Sequence, residues 1–173
     1  MILAKSLSLT LILFGQAAPM VDITLPPANA ITVATAEGRG VQIYRCLPQS
    51  GGLQWVFEAP EATLFQPGSA QQLGTHAAGP TWTWMDGSTI SGKVVAKQPS
   101  PVANAIPWLL LQTHAAASPS GQLSTVTLVR RSNTQAGSPP QTACDASAAG
   151  TTLRVPYQAT YTFYSTPAAA AAQ

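Results

Sequence analysis

The chain has 173 residues, 8% of them charged and 46% hydrophobic, with 15 prolines, 13 glycines and a formal net charge of +2. That length fits one domain, and low charge with ample apolar content excludes a solvated, disordered chain. The basic residues are scattered apart from Arg130-Arg131, which excludes a nucleic-acid footprint; that pair reads as the solvated end of a strand.

In chain order, the first element is an export signal. Met1 to Lys5 is a short basic start, Leu7 to Phe14 is apolar, and Gly15 and Ala17 are small residues at a cleavage site. The apolar run is too short to span a bilayer, so residues 1–17 read as a cleaved signal peptide. No later stretch has the makings of a transmembrane segment, and the expected location is secreted or periplasmic. Residues 18–29, rich in proline, form an extended entry segment to a single β domain over residues 30–164.

Within that domain, Ala30 to Ala36 and Val41 to Cys46 predict strands joined by a hairpin loop at Glu37-Gly38-Arg39-Gly40. Leu53 to Glu58 alternates Leu53, Trp55 and Phe57 against Gln54, Val56 and Glu58. Pro60-Glu61-Ala62 opens a helical turn with proline at its first position. Trp108 to Thr113 is apolar on both faces except at Gln112, the pattern of a central strand. Ser124 to Arg131 sets Val126 and Leu128 on one face. Val155 to Tyr164 sets Val155, Tyr157, Ala159, Tyr161 and Phe163 against Gln158, Thr160 and Thr162.

No dozen-residue stretch keeps a helical period. Short strands between Gly, Pro and Ser clusters predict an all-β fold, an antiparallel β-sandwich or barrel of about eight strands with short helical turns. Residues 165–173 read as an Ala-rich disordered tail. Cys46 and Cys144 form an even pair in an exported chain, which predicts a disulfide. It closes a loop of about 100 residues, worth roughly 4–5 kcal/mol in the chain-entropy account.

The densest chemistry lies in GTHAAGPTWTWMDGSTISG, residues 74–92. Asp86-Gly87 between two β-rich runs predicts a two-residue turn, because glycine tolerates the positive φ required. That turn sets Trp84 opposite Thr89, Thr83 opposite Ile90 and Trp82 opposite Ser91. Alternation then places Thr81, Thr83, Met85, Ile90 and Val94 on one face. Trp82, Trp84, Thr89, Ser91, Lys93 and Lys97 share the other. Two outcomes stay open. Facing outward beside hydroxyls and lysines, the tryptophans make a platform for a sugar ring or an anionic chain. Facing inward they are core, or they line a ligand cavity if the sheet closes into a barrel.

Gly40-Val41-Gln42-Ile43-Tyr44-Arg45-Cys46, Trp55, Ala59-Pro60-Glu61-Ala62, Gly74-Thr75-His76 and Gly79-Pro80-Thr81-Trp82 follow in order. Asp86-Gly87-Ser88, Ile106-Pro107-Trp108-Leu109-Leu110, Cys144 and Val155-Pro156-Tyr157 come after them. Together they resemble an exported, uncharacterised family catalogued as domain of unknown function 3455. The joint spacing carries the resemblance over about residues 30 to 164, and no activity comes with it.

Catalytic motifs are sparse. Gly38-Arg39-Gly40-Val41-Gln42-Ile43 lacks the third glycine of a dinucleotide loop and precedes a strand instead of a helix. No G-x-S-x-G elbow occurs, and His76 and His114 are far apart without metal-ligand spacing, so neither metal nor cofactor is expected. The expected function is binding of an envelope glycan or small apolar ligand by His76, Trp82, Trp84, Asp86 and Lys93. One alternative is a hydrolase using His76 with Glu58, Glu61 or Asp86. Another is a structural secreted or envelope protein without a small ligand, its histidine bonded to backbone.

Overall fold

The computed structural model describes residues 21–115 and 120–167, in which eight antiparallel strands follow one another around a closed barrel. They are β1 (Ile31–Gln49), β2 (Gly52–Phe65), β3 (Gln72–Ala77) and β4 (Thr81–Trp84), then β5 (Thr89–Gln98), β6 (Trp108–Ala115), β7 (Leu128–Ala136) and β8 (Thr152–Ser165). Each strand pairs with the next, and β8 returns to β1, so the sheet has no free edge. The all-β expectation holds, and ring closure selects the barrel. Among the described residues no helix is long and apolar enough to cross a membrane. The expected signal peptide and residues 168–173 of the expected tail lie outside the described residues.

Three local expectations change. Glu37-Gly38-Arg39-Gly40 is no hairpin loop but the middle of β1, which runs unbroken for 19 residues. Its glycines serve close packing: a Cβ on Gly38 would lie 2.5 Å from the Tyr161 ring. Pro60-Glu61-Ala62 is no helical turn either. It belongs to β2, beside the bulge where Ile43 pairs with Ala59 but Tyr44 with Phe57. A strand accepts proline next to such an irregularity, where a ladder bond is already missing. Finally, β7 starts at Leu128 and continues through Ala136, so Arg130-Arg131 stands inside a strand and is not its solvated end.

Eight strands enclose a space that side chains can just fill, or that can hold one small ligand. This barrel is filled at one end. Leu64, Trp82, Ile90, Leu111, Val129 and Phe163 interlock there, all buried. Leu123, from the β6–β7 connection, caps the plug. Its N–H donates to Ser88 Oγ at 3.2 Å, and the Gln122 N–H donates to the Asp86 carboxylate at 2.6 Å. The outer face of β6 is covered at Trp108 and Leu110, which explains the apolar residues on both faces there, while Gln112 and His114 are exposed. Asp22 pairs with Arg130, Arg130 Nε donates to Thr24 Oγ1 at 3.3 Å, and the guanidinium lies 5.2 Å over the Trp108 ring.

Candidate functional site

The turn between β4 and β5 decides which side chains enter the barrel. Its loop is Met85-Asp86-Gly87, with the Gly87 N–H donating to the Trp84 carbonyl at 2.9 Å and the Trp84 N–H to the Ser88 carbonyl at 2.8 Å. Gly87 has φ +84°, the left-handed glycine of a three-residue hairpin loop. Thr83 therefore pairs with Thr89, Trp82 with Ile90 and Thr81 with Ser91, one residue off the expected register. A one-residue slip exchanges the faces of a strand. Ile90 thus joins Trp82 in the core, Met85 is left exposed, and Lys93 is exposed opposite Gln112. Gly92 leaves room for the indole: a Cβ there would lie 2.9 Å from the Trp82 ring.

His76 sits across from Trp82 on β3, and the two rings stack at 4.7 Å with 7° between planes. The His76 Nδ1–H donates to the Thr81 carbonyl at 2.8 Å, which leaves Nε2 as the bare nitrogen. Burial holds the imidazole pKa down at about 4, so the ring is neutral at physiological pH.

Above this pair the barrel opens into a cavity of about 580 Å³, within the size range of small-molecule sites. Buried His76, Trp82 and Tyr161 lie deepest, Gln42, Tyr44, Leu109 and Arg131 form walls, and half-exposed Phe57 and Val94 stand at the rim. The Cys46–Cys144 disulfide, with Cα atoms 5.6 Å apart, joins β1 to the β7–β8 connection. That connection carries Pro139 to the mouth, and Trp55 Nε1 steadies it by donating to the Thr142 carbonyl at 2.9 Å.

The cavity unites His76 and Trp82, with Glu58 at its rim, but not Trp84, Asp86, Lys93 or Glu61. Trp84 is half-buried against the plug, edge-on to Phe163 at 5.4 Å. Asp86 lies beyond the opposite end of β4, where its carboxylate accepts from Ser88 Oγ at 2.6 Å, the bond that most strongly holds its pKa below the usual range. Lys93 faces away from the interior. Glu58 reaches the rim paired with Arg45 at 2.9 Å, and Glu61 pairs outside with Arg154 at 2.7 Å. Among the described residues, no carboxylate bonds His76, and no cluster of three His, Cys, Asp or Glu side chains is placed to hold a metal ion.

Arg131 and Gln42 escaped the sequence reading. A signal for Arg131 was present, since two adjacent arginines inside one strand must point to opposite faces. Arg130 takes the outer face, so Arg131 takes the inner one.

No curated protein and no solved structure matches this chain. A family model described as protein of unknown function matches residues 26–165, and the chain belongs to that family, DUF3455.

Proposed function

We propose that the domain binds a small, largely apolar molecule in the open end of its barrel. The observation that carries this reading is the division of the interior. Strands that close on a tight plug at one end wall about 580 Å³ at the other, mostly with aromatic and aliphatic side chains. A glycan platform fits less well, because Trp82 lies inside and Lys93 outside. Hydrolysis also fits less well, with His76 Nδ1 engaged by Thr81 and with Glu58, Glu61 and Asp86 engaged elsewhere. Export belongs to the same proposal, since a disulfide suits an oxidising compartment. Mass spectrometry of secreted material should then find a chain starting near Ala18.

Titration with the neutral apolar dye Nile red tests the binding site. The expected result is one saturable site per chain. Leu109→Trp, which fills the cavity from its wall, should keep the parent's melting temperature and weaken the dye at least tenfold. Undiminished dye binding by a folded Leu109→Trp variant refutes the cavity as the site.

A further inference from the structure

We infer that the cavity's ligand is an acid, an apolar molecule whose carboxylate is received by Arg131. This rests on the binding proposal above and names the chemistry of its ligand. Arg131 lies on the inner face of β7, with Leu109 as its cross-strand partner on β6 and Tyr161 on β8. Its Nε–H and an Nη2–H both donate to the Pro107 carbonyl, at 3.1 and 2.9 Å. A neutral carbonyl orients the guanidinium without compensating its charge, and the other N–H groups of the fork stay free of that contact.

No side-chain carboxylate of the protein compensates it either. The sequence has six. Asp22, Glu37, Glu58 and Glu61 pair with Arg130, Arg39, Arg45 and Arg154 respectively. Asp86 and Asp145 accept hydrogen bonds within their own loops and from Gln122.

A second cation points the same way. A bulge between Val94 and Ala96 shifts the β5 register so that Lys97 also pairs with Leu109 and lines the cavity. Lys97 and Arg131 therefore flank Leu109, two strands and about 10 Å apart, and neither belongs to an ion pair among the described residues. Gln42, only 2% exposed, lines the same space with its side chain on the Tyr157 hydroxyl. The site thus offers two cations against one carboxylate, Glu58 at the rim, which is already paired with Arg45. A carboxylate answers this set at once, because its two oxygens match the planar fork of arginine. An alcohol brings no charge, and an amine brings the wrong one.

Displacement of Nile red by three ligands with the same chain, decanoate, 1-decanol and decylamine, tests the inference. Decanoate should displace the dye from the parent protein at a concentration at least tenfold below that of either other ligand. Arg131→Gln should erase that preference, so that decanoate no longer displaces the dye at a lower concentration than decanol. Equal displacement by decanoate and decanol overturns the acid inference and leaves the cavity proposal standing. That comparison uses the parent protein, so it decides even if Arg131→Gln fails to fold. A folded Arg131→Gln variant that still prefers decanoate refutes Arg131 as the receiving group. Dye binding that survives Leu109→Trp brings down the cavity proposal and this inference together.

Discussion

Lowering the pH from about 7.5 to about 5 should cost the domain about 2 kcal/mol through His76 alone. The imidazole is 3% exposed, stacked on Trp82 and bonded to the Thr81 carbonyl, and burial lowers its folded pKa from 6.5 to about 4. A depressed histidine pKa means that the fold prefers the neutral ring. Above the unfolded value of 6.5, neither state binds the proton and the contribution is complete. Between 6.5 and about 4 the unfolded chain takes up a proton that the folded chain refuses, so stability falls with pH. Below about 4 the loss levels off at about 3 kcal/mol. Asp22, Glu37, Asp86 and Asp145 also have lowered values, but their contributions fade below the ordinary carboxylate range, beneath this window. Urea melts at the two pH values, for the parent and for His76→Asn, make the assay. Asparagine keeps an N–H donor near the Nδ1 position and does not titrate. For a domain of this size the parent should lose about 4–8 °C more than the variant in a thermal version. Equal losses in both proteins refute the claim that His76 is held neutral by burial.

Three further outcomes follow from the packing. Trp82→Ala should cost about 3–5 kcal/mol in urea denaturation, because its ring is 1% exposed at the centre of the plug; a loss below about 1 kcal/mol contradicts that placement. Gly87→Val should cost about 1–3 kcal/mol, since Gly87 holds φ +84°, with Gly87→Asn clearly milder; equal melts for both variants refute the backbone argument. Reducing Cys46–Cys144, which spans 98 positions of sequence, should lower stability by about 4–5 kcal/mol. It should also speed dye release in stopped flow by freeing the connection that carries Pro139, and an unchanged off-rate separates the bridge from the cavity mouth.

By itself the sequence determined the fold class and the disulfide. Strand alternation is a local property, so Tyr157, Ala159, Tyr161 and Phe163 declared one face of β8 before any partner was known, and that face is buried. Two cysteines permit one intramolecular bridge. Other local signals had more than one physical cause. Gly38 and Gly40 looked like a turn because glycine marks turns, yet it also marks close approach of backbone to a neighbouring strand. Asp86-Gly87 announced a hairpin, but one extra loop residue changed the register and carried Ile90 to the tryptophan side. The tertiary structure alone decided which face of each strand turned inward, because alternation groups residues without saying which group meets the core. It alone closed β8 on β1 and lined Gln42, His76, Trp82 and Arg131 around one space. Those four residues sit on four different strands, and the ring of hydrogen-bonded neighbours that brings them together has no counterpart in any local stretch of the chain.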